Sequence, residues 1–158
     1  MKHILTLSLC AFMVVLLPSC KRHLTKAPED IHRSFSAMYP DATMVEWESE
    51  AGNFTADFFS NDHEMAAKFD EDGKWIWSKT EVLLTEVPDE VFESVSDFDN
   101  HKWEVERVDH YTRSTGEKEY YRIEYSRDNS DFGKIAYIRP DGTVFRSVNR
   151  QTDESANI

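Results

Sequence analysis

The 158-residue chain is poor in cysteine, in basic residues and in long apolar runs. It contains two cysteines, and its 18 basic residues stand against 30 acidic ones, which gives a formal net charge of −12. Nucleic acids bind to surfaces rich in Lys and Arg, so this balance argues against a nucleic-acid partner. The chain is nevertheless 40% hydrophobic, too apolar for a disordered protein, and its length predicts one domain or two small ones.

The longest apolar run lies near the amino terminus, at residues 4–17. It is shorter than the roughly 20 residues that a transmembrane helix needs, and it fits the hydrophobic region of a signal peptide. The sequence Leu17-Pro18-Ser19-Cys20 that follows resembles a bacterial lipobox, whose cysteine becomes lipidated. We therefore predict a signal peptide over residues 1–19, a lipid on Cys20 and a tether over 20–27. Ordinary signal cleavage is the alternative.

Export would use both cysteines of the chain, because Cys10 lies in the apolar run and Cys20 would carry the lipid. The mature domain would then have no disulfide, no thiol nucleophile and no cysteine-ligated metal. These features predict a lipid-anchored protein of the cell envelope, on the periplasmic or cell-surface side.

Two segments of the chain show the same order of patterns. Pro28 opens the first and Pro88 the second, 60 residues later, each at the predicted first position of a helix with acids in its first turn. Four short alternating runs follow each helix, separated by breakers that contain Gly, Asn or Asp. This pattern predicts an α+β fold of two repeats, at 28–84 and 85–148, each with one helix and a four-stranded antiparallel meander. Residues 149–158 are polar and predicted to be a disordered tail.

The last turn of each repeat contains Asp-Gly, at Asp72-Gly73 and at Asp141-Gly142. Pro140 favours a type I turn with Gly142 in the left-handed region, followed by a bulge. This turn predicts the pairs Ile138 with Val144 and Phe69 with Trp75. A two-residue turn would shift the register by one and exchange the two faces.

In the preferred register, one face of the sheet is apolar and packs against the helices. Its predicted core residues are Val45, Trp47, Phe54, Ala56, Phe58, Met65, Ala67, Phe69, Trp75, Trp77, Trp103, Val105, Tyr121, Ile123, Tyr125, Ala136, Ile138 and Val144. The opposite face is predicted to carry Phe59, Ile76, Tyr120, Arg122, Ile135, Tyr137, Arg139 and Phe145. The shifted register would instead expose Trp75 and Trp77 as a binding platform.

Several motifs of the first repeat resemble those of PepSY-like proteins with a fold like that of the β-lactamase inhibitor protein (BLIP), found as small secreted or lipid-anchored proteins of Bacteroidetes-type bacteria. The motifs are Tyr39-Pro40-Asp41-Ala42, Val45-Glu46-Trp47 and Phe69-Asp70-Glu71-Asp72-Gly73-Lys74-Trp75. The second repeat departs from the pattern at Asp97-Phe98-Asp99-Asn100 and has a longer loop at residues 111–119. The resemblance implies a concave eight-stranded sheet with the helices on one face. It implies no activity, because most members have none that is known.

The sequence offers no strong catalytic motif. It has no glycine-rich phosphate loop, no HExxH, no GxSxG and no histidine pair at metal-ligand spacing. The acids around Gly73 could contact calcium, but Gly73 falls at the wrong position for an EF-hand, so a hairpin turn is the preferred interpretation. Carboxylate pairs such as Glu46 with Glu48 are expected by chance in so acidic a chain. We therefore predict that the protein is not an enzyme and that it holds no cofactor and no metal.

The favoured hypothesis is a non-catalytic envelope module that binds a protein or peptide through the open sheet face, with inhibition of an enzyme as one form of such binding. The predicted contact residues are Phe59, Ile76, Tyr120, Arg122, Tyr137, Arg139 and Phe145. The acidic charge favours a basic partner. Most arginines lie in the second repeat, which has nine bases against four in residues 28–84. The alternative is a small-ligand or cation-binding sensor module, which would need a closed pocket between helices and sheet.

Overall fold

The computed structural model describes residues 26–96, 103–127 and 133–150. The elements, in chain order, are α1 (Glu29–Met38), β1 (Thr43–Glu50), β2 (Asn53–Ser60), β3 (His63–Phe69), β4 (Trp75–Glu81), a 3₁₀ turn (Leu84–Glu86), α2 (Asp89–Ser96), β5 (Glu104–Arg113), β6 (Glu119–Ser126), β7 (Gly133–Ile138) and β8 (Val144–Asn149). The eight strands form one antiparallel sheet in the order β1 to β8. The predicted α+β fold, one helix and four strands repeated twice, is confirmed.

Some predictions fall on residues outside the described part of the chain. These are the signal peptide at 1–19, the lipidated Cys20, the tether up to residue 25, the segment Asp97–Asn100 and the last eight residues of the predicted tail. At the described end of the tether, Ala27 is buried in the first core. At the other end, β8 reaches Asn149, one residue into the predicted tail.

Each helix begins directly after a proline. Pro28 was predicted at the first position of α1, but it is the N-cap, so the helix begins one residue later, at Glu29. Glu29 and Asp30 lie in the first turn, where the helix dipole favours acids. Ile31 and Phe35, four positions apart, turn to the sheet and are buried. The helix ends at Met38 because the residue before Pro40 is disfavoured in the helical region.

The predicted hairpin turn is confirmed in both repeats. The amide of Gly142 donates to the carbonyl of Arg139 at 2.9 Å, and the amide of Gly73 donates to that of Asp70 at 3.0 Å. Both glycines have positive φ, +80° and +75°. The predicted pairs follow: Ile138 lies opposite Val144 and Phe69 opposite Trp75.

Two apolar cores lie between the sheet and the helices, one under each helix. The buried residues of the first core are Ala27, Ile31, Phe35, Trp47, Ala56, Phe58, Ala67 and Phe69. Those of the second are Val91, Val95, Val108, Tyr121, Ile123, Tyr125, Ala136 and Ile138. Side chains alternate along each strand and keep one face across paired strands, so both helices lie on the same face of the sheet. The opposite face is called the open face below.

β-Bulges remove one predicted residue from the core and add one that was not predicted. In β4, Trp75 pairs with Phe69 and Trp77 pairs with Lys68, so Ile76 is an additional residue and Trp77 lies on the open face instead of in the core. In β5, Glu106 is the additional residue, which reverses the alternation and puts Val108 into the core.

The predicted core residues Val105 and Val144 are both exposed. Val105 precedes the bulge of β5, outside the second core cluster. Val144 lies on β8, an edge strand that pairs on one side only, so it has fewer neighbours to bury it.

We expect Gly142→Ala to destabilise the protein by about 3 kcal/mol. A methyl group there would lie 2.6 Å from the carbonyl oxygen of Glu90 and 2.9 Å from the hydroxyl of Ser94, both on α2. Left-handed strain, about 1–2 kcal/mol, adds to the cost of displacing the helix, also about 1–3 kcal/mol. Urea unfolding measures the change.

Gly116→Ala is the matched control. Gly116 has nearly the same φ, +73°, but no atom lies within 4 Å of its added methyl group. It should cost only the strain, about 1 kcal/mol. Equal losses in the two variants would contradict the proposed contact between the turn and α2.

Candidate functional site

The open face of the second repeat carries a continuous strip of rings. Trp77 and Tyr111 have ring centroids 5.9 Å apart, and Tyr111 stacks on Tyr120 at 5.0 Å. Tyr120 lies 5.9 Å from Tyr137 and 5.8 Å from Phe145. These five residues, which we call the aromatic strip, come from five successive strands, β4 to β8. Trp77 and Phe145 are half-buried at its two ends.

The structure brings four of the seven predicted contact residues into one cluster. Tyr120, Tyr137 and Phe145 belong to the aromatic strip, and the guanidinium of Arg139 lies 4.8 Å from the centre of the Phe145 ring. Tyr120 and Tyr137 are only 8% and 9% exposed, because they pack on one another and on Ile135. Tyr120 and Tyr137 therefore also form part of a third, smaller apolar core.

Arg122, the fifth predicted contact residue, is held by carboxylates of the protein itself. Its guanidinium lies 3.4 Å from Asp109, which is only 2% exposed. Asp109 also accepts a hydrogen bond of 2.8 Å from Nε of Arg107, and Arg107 pairs with Glu81 at 2.8 Å. Burial of a carboxylate is tolerated here because two guanidinium groups neutralise it.

The same network continues on the other side of Arg122. Arg122 donates to Glu124, and Arg150 contacts both Glu124, at 3.3 Å, and Glu106. The result is a chain of alternating charge across the open face, which we call the ion chain. Its members in order are Glu81, Arg107, Asp109, Arg122, Glu124, Arg150 and Glu106.

The pKa of Arg122 depends on its position in the ion chain. Burial acts to lower the pKa of its guanidinium, but the hydrogen bond and charge of Glu124 and the hydrogen bond with Tyr137 outweigh burial, so the pKa is raised. The network therefore favours the charged form of Arg122.

The remaining two predicted contact residues are not members of the aromatic strip. Phe59 is exposed on β2, where it pairs with Thr43 and Glu64. Ile76 is the additional residue of the β4 bulge, and its carbonyl accepts hydrogen bonds from the amide and the hydroxyl of Ser114. Phe59 lies on the open face as predicted, two strands from Trp77, and Ile76 directly precedes Trp77 in the chain.

Sequence reasoning missed Trp77 and Tyr111 as members of the site. The bulge of β4 turns Trp77 to the open face, and the bulge of β5 does the same for Tyr111. The corresponding turn of the second repeat has the same bulge, at Phe145, after the same number of residues. Both bulges become visible only in the strand pairing, so the sequence carried no signal for Trp77 and Tyr111.

A separate open cavity of about 540 Å³ lies at the β2–β3 turn and the end of β4. Its lining residues are Asn61, Asp62, His63, Glu64, Glu81, Val82, Leu83 and Glu86. Within residues 26–96, 103–127 and 133–150, no group of three or more acids and histidines is arranged to hold a metal ion. No helix in these ranges is long and apolar enough to cross a membrane.

These observations define an α+β protein with both helices on one face of a single open sheet. Solved structures share this fold. A DUF2874 family protein from Bacteroides ovatus matches with a TM-score of 0.74 and 22% identity, over 81% of this chain and 91% of that one. A BLIP-like protein from Bacteroides fragilis matches with a TM-score of 0.73 and 17% identity, over 81% and 89%. A predicted periplasmic protein from Bacteroides eggerthii gives 0.73 and 24%, over 79% and 90%.

No protein-family model and no curated protein matches this chain. At these sequence identities the solved structures show the fold alone, and they confirm the BLIP-like fold that the resemblance implied. The PepSY-like assignment stays a prediction.

We expect Asp109→Asn to cost about 3 kcal/mol of unfolding free energy. The substitution removes the charge that Arg107 and Arg122 share in a buried position. Each arginine keeps a second carboxylate, Glu81 or Glu124, so the loss should lie at the lower end of the roughly 3–5 kcal/mol that breaking a buried ion pair from one side costs. Chemical denaturation measures the loss. The matched control is Asp30→Asn, which removes an exposed pair with Arg33 and should cost less than about 1 kcal/mol. If both variants lost the same amount, the ion chain would not stabilise the sheet.

Proposed function

We propose that this protein is a non-catalytic module of the cell envelope that binds a protein or peptide through its open face. The observation that carries the proposal is the aromatic strip. Five rings in contact occupy the face opposite to the helices, and the strip ends in half-buried Trp77 and Phe145. Trp, Tyr and Arg supply most of the binding energy in protein interfaces, especially where they are held in place by neighbours.

The charge distribution supports a protein partner. Carboxylates of the first repeat, among them Glu46, Asp57 and Glu64, lie on the open face, on β1 to β3. With a net charge of −12, they would attract a basic partner and steer its approach. The acids near the strip are less suited to acid–base catalysis, since Glu81, Asp109 and Glu124 are paired with arginines.

The envelope location rests on two lines of support. The amino-terminal pattern predicts export with a lipid on Cys20, and the fold is shared with a predicted periplasmic protein. A lipid anchor would hold the domain at a membrane surface. Inhibition of an envelope enzyme, as in the protein that names the BLIP-like fold, is one form that such binding could take.

The second hypothesis, a small-ligand or cation sensor, requires a closed pocket. The cavity at the β2–β3 turn is open to solvent, and it lies at a sheet end instead of between helix and sheet. These features favour the protein-binding hypothesis.

We expect Trp77→Ala combined with Tyr111→Ala to reduce partner capture at least tenfold. The substitutions remove two rings from the strip, and truncating such anchors costs about 2 kcal/mol or more each. The full chain serves as bait in an affinity pull-down from an envelope extract of its native host, with quantitative mass spectrometry. Circular dichroism confirms that the variant is folded.

The control for this experiment is Phe92→Ala. Phe92 is an exposed aromatic residue on α2, on the opposite side of the sheet. Its removal should leave capture within twofold of the unsubstituted protein. The proposal fails if the double variant captures the same proteins in the same amounts, or if Phe92→Ala loses them equally.

A further inference from the structure

Three basic side chains surround the Trp77 end of the aromatic strip. In the sheet register, Trp77 lies between Lys68 on β3 and Arg113 on β5. Lys79, two residues further along β4, lies directly opposite Tyr111. Alternation puts all of these side chains on the open face. The three bases bring three positive charges to the part of the open face around Trp77.

These three cations differ from four arginines of the open face in their ion pairs. Arg107, Arg122, Arg139 and Arg150 are each paired with an acid. In contrast, no described carboxylate forms an ion pair with the three cations around Trp77, although all three are half-buried. An exposed lysine is solvated by water, but a half-buried cation gains more from an anion that reaches it.

Hydrogen-bond donors and apolar surface meet at the same place. Arg113 lies beside the phenol of Tyr120 and hydrogen-bonds with it. Burial, with the nearby charge of Asp109, raises the pKa of Tyr111, so its hydroxyl stays protonated and can donate. Trp77 and Tyr111 add ring surface next to these donors. A site of this composition fits a carboxylate whose neighbour is an apolar group.

We propose that the Trp77 end of the strip binds an acidic, extended segment of a partner protein, with a carboxylate side chain between Lys68, Lys79 and Arg113. An apolar side chain next in the segment would lie on Trp77 and Tyr111. This inference rests on the proposed function and specifies the chemistry of the contact. It is compatible with a partner that is basic overall, because net charge controls the approach while the local cations control the fit.

The first test compares two peptides that differ only in charge. Acetyl-(Glu-Leu)₃-amide should bind the full chain at least tenfold more tightly than acetyl-(Gln-Leu)₃-amide, measured by calorimetry and by tryptophan fluorescence. Trp77→Phe should remove the fluorescence response, whereas Trp103→Phe, a substitution on the helix face, should keep it. Equal affinities for the two peptides, or no binding of either, would overturn the proposal.

The second test reverses the local charge. Lys68→Glu with Lys79→Glu should weaken binding of the glutamate peptide at least tenfold, and the milder Lys68→Gln with Lys79→Gln should weaken it by an intermediate factor. The matched control is Lys26→Glu with Lys74→Glu, which changes the net charge equally at two exposed positions. This control should stay within twofold. Equal weakening in the two charge-reversed variants would show only a general field effect and would contradict a specific site.

Two further outcomes separate this inference from its alternatives. If polygalacturonate binds through Lys68 and Lys79 and displaces the peptide, the site belongs to an anionic saccharide and the peptide proposal is wrong. If the partner captured in the pull-down is lost with the Trp77 and Tyr111 variant but retained with Lys68→Glu and Lys79→Glu, the proposed function stands and the acidic-segment inference falls.

Discussion

The two-residue period of the β-strand is the constraint on which the whole molecule depends. Each strand must present apolar side chains to the helices, and one additional residue reverses the faces of all residues beyond it. The bulges at Ile76 and Glu106 make this reversal at defined points. They place Val108 under α2, and they turn Trp77 and Tyr111 to the open face. The second core and the candidate site are thus two results of the same local irregularity.

The open face of the second repeat is stabilised by contacts of its own. No described helix packs against it, yet Ile135 is almost fully buried there and Asp109 is 2% exposed. The aromatic strip supplies the apolar part of this packing, and the ion chain satisfies the buried charges. Long polar side chains usually lose conformational freedom when a partner binds. Here neighbours already fix the rings and guanidinium groups, so a partner would meet a surface that has lost that freedom on folding.

The sequence was sufficient for the features that local chemistry determines. Pro140 and Gly142 indicated the hairpin turn and its register, in which Ile138 pairs with Val144. Two prolines, Pro28 and Pro88, indicated where the helices begin. The bulges could not be read in this way. Trp77 fits a helix-facing position as well as an open one, and only the pairing of β4 with β3 decides between them. Arg122 likewise has the residue type of a contact residue, but its ion pair with Asp109 depends on the register between β5 and β6, which follows the bulge at Glu106.

The number of basic residues in each repeat does not show where a ligand could bind, because many of these residues form ion pairs within the protein. The second repeat has more arginines, which suggested that the contact surface would lie there. Most of those on its open face neutralise carboxylates of the same repeat, whereas Lys68 and Lys79, which form no ion pair with a described carboxylate, come from the first repeat. They reach Tyr111 and Arg113 only because β4 pairs with β5. The proposed binding surface therefore forms only where the two repeats join in one sheet, and a single repeat would lack it.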